Sequence, residues 1–539
     1  MCGFCGFLSS SPQRGNPDDL LKKMGNSIIH RGPDDSGEWH DQQAGVGLSH
    51  RRLSIIDLSA DGHQPMVSHS GRFVIAYNGE IYNYQSLRED LLSVGSSFRG
   101  RSDTEVLLAA IECWGIQKAL RRSVGMFAFA LWDKKTKTLT LARDRMGEKP
   151  LYYGWQRVGN ERTFLFGSEL KALRQHPSWQ GGIDRKALAD LLRYNYIPAP
   201  QTIHPDIYKL PPGHLLHLAQ NEGGWKEQME VWWSLQEISQ QATEHSFTGG
   251  RADAVEQLDE LLREVIRGQR LADVPLGAFL SGGVDSTSVV GVMQSISNEP
   301  VNTFTIGFED QAYDESVHAR RVATHLGTKH KEWIVTADDA LSVIPDLPSL
   351  YDEPFADVSQ IPTLLVSRLA RNSVTVALSG DGGDELFAGY NRHKWAPGIM
   401  QKMGYIPQVV RQALVRLAVT PSPQAWDHFF KKVDHLLPTT MKASHPGEKI
   451  HKIASILNAS GERDLYSRLI RAWNDPIPVL GGQSHDLVSD HQSLWGMGDN
   501  FTDRMTRLDS VTYLPDDILV KVDRAAMSAS LETRVPFLD

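Results

Sequence analysis

Cysteine is nearly absent from this chain of 539 residues: only Cys2, Cys5 and Cys113 occur. Three are too few for a disulfide framework, so a reducing cytoplasm is the expected compartment. Long hydrophobic runs are missing as well. No apolar stretch approaches the ~18 residues that a membrane-spanning helix needs. The opening "MCGFCGFLSSSPQRG" has neither the basic start nor the long apolar core of a signal peptide. Positive charge is not in excess either. A formal net charge of −9 offers no general attraction to nucleic acid or to an anionic membrane, so neither is an expected partner. No repeat or low-complexity tract is evident. What is present, 41% hydrophobic and 22% charged residues, is the composition of a soluble enzyme too long for a single core.

The first part, to about Leu216, is punctuated by glycine and asparagine. Its segments "GRFVIAYNGEIYN" and "MFAFALWDKKTKTLTLARD" carry the aromatic and β-branched enrichment of sheet. "KLPPGHLLHL" then marks a turn into a last strand. From Gln236 to Ala252, "QEISQQATEHSFTGGRA" is polar and carries Gly-Gly, which predicts a linker. Beyond it the period changes. Val255, Leu258, Leu261, Leu262, Val265 and Ile266 recur at the spacing of an amphipathic helix. The short runs "LGAFL", "VNTFTIGF", "HKEWIV" and "VTVALSG" alternate with helical segments such as "DESVHARRVATHL". That alternation predicts a parallel sheet in a doubly wound α/β domain. Residues from about 395 to 510 read as largely helical additions. The expected division is 2–216, a connecting strand and polar linker over 217–252, and 253–539.

The stretch "LGAFLSGGVDSTSVV" carries the most chemistry. A strand ends at Leu280, Ser281-Gly282-Gly283 turn tightly, and a helix follows. Glycines let backbone N–H groups approach an anion, and a helix N-terminus adds partial positive charge. Asp285 inside such a cradle suits a Mg²⁺ ligand bridging to phosphate. A plain strand-to-helix turn with a serine cap would have the same residues. "VTVALSGDGGDELFAGYNRH" repeats the grammar, with Ser379-Gly380 followed by Asp381, Asp384 and Glu385. Two acidic, glycine-rich strand ends describe one crevice at the carboxyl edge of a parallel sheet. Acids this close repel one another unless a cation is shared.

"SGGVDS" resembles the pyrophosphate loop of ATP pyrophosphatases that form adenylates. Together with "SGDGGDELFAGY", "VKVDRAAM" and "LETRVPFLD", it resembles the glutamine-dependent asparagine synthetase family over the whole chain. The resemblance implies an N-terminal αββα sandwich of the N-terminal-nucleophile type and a C-terminal ATP-pyrophosphatase domain. It implies that Leu280 and Ile306 contact the adenosine, and that Ser281, Gly282, Gly283, Asp285 and Ser286 hold the phosphates of ATP. Ser379 and Gly380 would border the nucleotide, and Asp285 and Asp384 would carry Mg²⁺. Asp381 stands where many relatives have Glu and would face the acceptor or the incoming ammonia. "YDEPFADVSQIP" (Tyr351 to Pro362) would border the acceptor pocket, although its acids could equally cap the following helix. Lys521, Asp523 and Arg524 suit a buried ion network.

The same resemblance makes Cys2 the glutaminase nucleophile after removal of Met1. The chemistry holds without the family: a thiol needs a base, and a free α-amine with pKa near ~7.7 can take its proton. Cys5 has no such amine and reads as a small buried hydrophobe. A zinc or redox pair of Cys2 with Cys5 would lack partners. In "HRRLSIID", Arg52, with Leu53, would bind glutamine, the arginine clamping its α-carboxylate. In "YNGEIYN", Asn78 and Gly79 would donate to the oxyanion, though Asn-Gly is also a strong hairpin-turn signal. Glu80 and Asp103 would accept from the α-ammonium, and "HRGPDDSG" (His30 to Gly37) would shape the surrounding loop.

The implied reaction is hydrolysis of glutamine at Cys2, adenylation of an aspartate side chain by Mg-ATP, and displacement of AMP by ammonia to give asparagine. Amidation of another carboxylate, such as a sugar acid or a peptide-like intermediate, keeps both half-reactions. Family members normally continue past "RVPFLD" with a helical segment, so the expectation is a chain lacking that segment. Were Asp539 the natural end, a glutaminase or nucleotide-binding partner without synthetase activity would be the alternative. A homodimer is the family expectation.

Overall fold

Alternation in the first domain's strands is buried on both sides, and this decides its layering. In the computed structural model, which describes residues 2–9, 16–221, 224–310, 314–433, 446–473, 476–498 and 500–539, twelve strands form two antiparallel sheets. They are β1 (Gly3–Ser9), β2 (Asp35–Asp41), β3 (Val46–Arg52), β4 (Met66–Val67), β5 (Phe73–Ile81) and β6 (Gly125–Asp133). The others are β7 (Thr138–Arg143), β8 (Tyr152–Val158), β9 (Glu161–Gly167), β10 (Tyr208–Lys209), β11 (His214–Asn221) and β12 (Gly224–Val231). The sheet orders are β10-β8-β9-β1-β3-β2 and β12-β11-β7-β6-β5-β4. On β6, Ala128, Ala130 and Trp132 pack toward the other sheet. Phe127, Phe129 and Leu131, one residue out of phase, pack with Val106, Leu107 and Ile111 of the helix Asp103–Trp114. The far face of the first sheet buries Cys5 and Phe7 of β1 against Leu21 and Met24 of the helix Pro17–Asn26. The result is an αββα sandwich.

β11 continues past Leu216, and β12, inside the stretch expected to hold a connecting strand, pairs with it from His214↔Val231 to Asn221↔Gly224. The stretch expected to be a linker begins with a helix, Leu235–Glu244. Its Gln, Glu and Ala residues favour helix, and no proline interrupts them. The helix Arg251–Gln269 forms as its spacing predicts, but only Ile266 of the expected apolar face is buried; Val255, Leu258 and Leu261 are exposed.

The second domain has a parallel sheet of β13 (Leu276–Phe279), β14 (Asn302–Phe308), β15 (Lys329–Val335), β16 (Val376–Leu378) and β17 (Glu532–Arg534), ordered β15-β14-β13-β16-β17. Strands are added outward from β13 in one direction and then from β16 in the other. The order therefore reverses between β13 and β16, where a ligand crevice opens in such sheets. The described residues from 395 to 510 are mostly helical, as expected. Among the described residues, no helix is long and apolar enough to cross a membrane. The two domains share apolar core: Leu53, Ile55, Tyr82 and Met126 pack with Val376 and Met527.

Candidate active sites

Cys2 precedes β1 near the middle of the first sheet, and its surroundings are set by β3 and β5. Its backbone N–H donates to Asn78 Oδ1 at 3.0 Å, and its Sγ lies 3.9 Å from the Leu53 carbonyl oxygen. Burial pushes the thiol up to about 11, against the Leu53 contact and the Arg52 charge. A thiol in that state is not ionised at neutral pH and needs a base to become a nucleophile. Met1, whose removal would free the Cys2 amine, lies outside the described residues.

Asn78 Nδ2 is buried and makes no hydrogen bond. A buried donor left unpaired costs roughly 1–3 kcal/mol, so a ligand oxygen is its natural complement. Asn78 and Gly79 do not form the hairpin turn that the dipeptide suggests. Both lie within β5, opposite Ala128 and Phe127 of β6. A Cβ on Gly79 would stand 2.2 Å from the Met126 carbonyl oxygen, so the close approach of β6 already demands glycine there.

Arg52, at the end of β3, donates to the carbonyls of Ser59 at 3.0 Å, Ile56 and Asp57. It also lines a cleft of about 780 Å³ between the domains, with Asp34, Asp35 and His63 on one side and Arg371 and Thr375 on the other. Arg51 points away, to the Gly25 carbonyl. The two candidate acids differ. Asp103 is already satisfied, accepting from the Ile81 and Thr104 N–H groups at 2.9 and 2.8 Å and from the Tyr77 hydroxyl at 3.1 Å. Glu80 Oε2, equally buried, accepts nothing.

The second site lies at the switch point. Leu280, Ser281 and Ile306 line a cavity of about 850 Å³ with Phe304, Phe308 and Val335. Ser281 and Ser286 hold the first loop, with hydroxyls 2.9 Å apart, and Gly283 N–H donates to Ser281 Oγ at 3.2 Å. Gly282 turns at φ +82°. The loops after β13 and β16 touch. A Cβ on Gly380 would be 2.7 Å from Ser286 N, and one on Gly383 would be 2.6 Å from Asp285 Cγ. Ser379 Oγ donates to Asp381. Burial, with the charges of Asp384 and Asp381, raises the Asp285 carboxyl. Carboxylates from both strand ends thus face one another with oxygen donors suited to Mg²⁺. Among the described residues, however, no set of three or more His, Cys, Asp or Glu converges as a ready metal cage. A site sharing its ion with ATP phosphates needs fewer protein ligands.

Sequence reasoning missed the residues that join the two sites. Arg31 Nε donates to the Cys2 carbonyl at 3.1 Å, while its Nη1 and Nη2 each donate to Asp523 at 2.8 Å. Glu169 receives Arg31 at 2.7 Å and Arg524 at 2.9 Å. "YDEPFADVSQIP" does something neither expectation foresaw. Asp352 accepts from the Lys171 N–H at 3.0 Å, and Glu353 pairs with Lys209 at 3.1 Å, both across the domain boundary. Asp357 pairs with Lys521 at 3.0 Å. Asp523 and Arg524 do enter a buried ion network that spans both domains, while Lys521 pairs with Asp357 within the second. The motif "HRGPDDSG" was the available signal for Arg31. Glu169, Lys171 and Lys209 had none.

An antiparallel αββα sandwich with a cysteine at its second position, joined to a parallel sheet with a glycine-rich switch point, is the build of a glutamine amidotransferase coupled to a second catalytic domain. Residues 1–233 match the family model described as glutamine amidotransferase domain, and residues 257–539 the model described as asparagine synthase. The chain belongs to the asparagine synthase family. It is 32% identical over 544 residues to asparagine synthetase (glutamine-hydrolyzing) 1 of Bacillus subtilis, covering 100% of this chain and 79% of that protein. A putative asparagine synthetase (glutamine-hydrolyzing) of Mycobacterium tuberculosis is 31% identical over 557 residues, covering 100% and 80%. Amidase chyE of Penicillium rubens is 28% identical over 591 residues, covering 100% and 81%.

Proposed function

We propose that this amidotransferase is a glutamine-hydrolysing asparagine synthetase. Cys2, freed of Met1, passes its thiol proton to its own α-amine and attacks the glutamine amide carbon. Ammonia leaves, and water hydrolyses the resulting thioester to glutamate. Asn78 Nδ2 and the Gly79 N–H receive the oxyanion, Arg52 the α-carboxylate, and Glu80 with Asp103 the α-ammonium. In the second domain, Leu280 and Ile306 seat the adenosine of ATP. Ser281, Gly282, Gly283, Asp285, Ser286, Ser379 and Gly380 seat its phosphates. Mg²⁺, held by Asp285 and Asp384, would neutralise phosphate charge as pyrophosphate departs. Asp381 orients ammonia or the acceptor as ammonia displaces AMP from the acyl adenylate. The Asn78 carboxamide carries the proposal: its oxygen is committed to Cys2 while its buried nitrogen is unpaired.

Aspartate is the acceptor proposed first, because several full-length relatives bear the name asparagine synthetase. A second reading keeps both half-reactions on another carboxylate, since a full-length relative bears a name other than asparagine synthetase. One experiment separates them. The protein is incubated with glutamine, Mg-ATP and a panel of carboxylates, and glutamate, AMP and pyrophosphate are measured separately. AMP and pyrophosphate should rise with aspartate. Glutamate without either, for every acceptor, defeats the synthetase assignment. Glutamate production that survives Cys2→Ala defeats the nucleophile assignment.

A further inference from the structure

Arg534 reaches out of the second domain into the glutamine site of the first. It ends β17, in the motif "LETRVPFLD". Its side chain is fully buried, and three hydrogen bonds fix it. Nε donates to Glu532 at 2.6 Å, and Nη1 donates to the carbonyls of Gln269 at 2.6 Å and Leu271 at 2.8 Å. The Tyr82 ring, 5.5 Å from Cζ, covers the guanidinium. Nη2 alone makes no hydrogen bond, and it stands 3.7 Å from Oε1 of Glu80. Glu80 Oε2, on the other side of that carboxyl, also accepts nothing. A buried cation beside a buried acid, each with one unused valence, is a poor way to build a strut. It is a good way to hold an acid in readiness for a third group.

We infer that Arg534 is a positioning residue for glutamine: its rigidly seated guanidinium, 3.7 Å from Glu80 Oε1, holds that carboxyl so that its free oxygen faces the substrate's α-ammonium. The inference rests on the assignment of Glu80 to that ammonium. The groups acting on Glu80 are Cys2 before β1 with the amino-terminal charge, Asp103 on its helix, Tyr77 on β5 and Tyr84 after it, and Glu532 and Arg534 on β17. Burial drives the Glu80 carboxyl well up, Glu532 and Asp103 push it the same way, and Arg534 pulls it back. An opposite charge within about 4–6 Å favours the ionised carboxylate, so removing Arg534 raises Glu80 further and moves its ionisation to higher pH. The first domain's substrate pocket is on this account completed by the second domain.

Steady-state glutamate production by the full chain tests this in wild type, Arg534→Met, Arg534→Gln, Arg534→Lys, Glu80→Gln and the double variant Glu80→Gln/Arg534→Met, from about pH 6 to pH 9. Both neutral variants should raise the glutamine KM about tenfold near pH 7, recover as pH rises, and leave kcat within about threefold. Arg534→Lys should restore most of the affinity, and in the Glu80→Gln background Arg534→Met should add nothing. An unchanged KM, a KM raised equally at every pH, or a penalty of the same size without the Glu80 charge overturns the inference. If thermal unfolding shows Arg534→Met to be unfolded, Arg534→Gln decides, since it retains hydrogen-bonding groups without the charge. If wild type makes no Cys2-dependent glutamate, the site assignment itself falls and takes the inference with it. Cys2-dependent turnover with an unaffected KM defeats the inference alone.

Discussion

In the proposed glutaminase, Asn78 is the residue on which the first site's chemistry would turn. Its Oδ1 is occupied by the Cys2 N–H at 3.0 Å, so its orientation is set before any substrate arrives. Its Nδ2 then has one direction in which to donate, and no protein atom meets it. Preorganised donors of this kind stabilise a developing oxyanion because no reorientation is needed at the moment of reaction. Asn78→Asp keeps an acceptor for Cys2 but removes the donor. Its glutaminase kcat should fall by about 10²–10³, with a much smaller change in KM. A KM effect with kcat intact would make Asn78 a binding group only. The burial of Cys2 completes the arrangement. With its thiol pushed to about 11, Cys2 depends on a neighbouring base for its reactivity.

Two loops, after β13 and after β16, form the second site by leaning on each other. The point of closest approach is Gly380, where an added Cβ would be 2.7 Å from the backbone nitrogen of Ser286 and 3.0 Å from its Cα. Backbone cannot move aside as a flexible side chain can, so Gly380→Ala should spread the loops. The expected outcome is loss of AMP and pyrophosphate formation, with Cys2-dependent glutamate production within about threefold of wild type. A variant that still forms AMP at the normal rate would show that the loops need not touch. Elements of this kind were legible in advance because their signals are local: aromatic and β-branched enrichment in β5 and β6, and glycine with acid after an apolar strand in β16. Where the sequence misled, a tertiary partner overrode a local preference. Asn78-Gly79 has the chemistry of a turn, yet β6 pairs with it from Gly125↔Ile81 to Asp133↔Phe73 and holds it extended. The polar residues after Ser234 suggested a linker because they lack an apolar face. They form a helix nonetheless, since helix propensity does not require one. Asp352 and Glu353 were readable as acids but not as cross-domain anchors, because their partners Lys171 and Lys209 are far away in sequence and no spacing encodes them.

At the scale of the whole molecule, the boundary between the domains carries a network of buried charge beside its shared apolar core. Arg31 is its centre, touching Asp523 with two nitrogens, Glu169 with one of these, and the Cys2 carbonyl with the third. Burial resists ionisation of both acids. For Asp523 Arg31 overcomes it, and for Glu169 Lys171, Arg524 and His30 do, so both carboxyls are held below their usual values. Acids of lowered pKa stabilise the folded state fully above the unfolded carboxylate value of about 4, and that stabilisation is lost as pH falls through the lowered folded value. The part of the docking that Asp523 and Glu169 supply should therefore be indifferent to pH near neutrality and be lost in acid. Asp523→Asn removes one partner and leaves the buried Arg31 undercompensated, a change that costs roughly 3–5 kcal/mol in such pairs. Thermal unfolding should show a large drop in Tm for the variant at about pH 7, and a gap to wild type that closes as pH falls below about 4, where wild type loses the same pair by protonation. A gap that stays constant through the acid range would mean that the pair contributes through shape and not charge. The same variant should lower the kcat for glutamine hydrolysis, although Asp523 lies in the other domain, because Arg31 would then hold the Cys2 carbonyl from a seat no longer fixed. Restored turnover in Asp523→Glu, with its charge intact, would locate that effect in the ion pair.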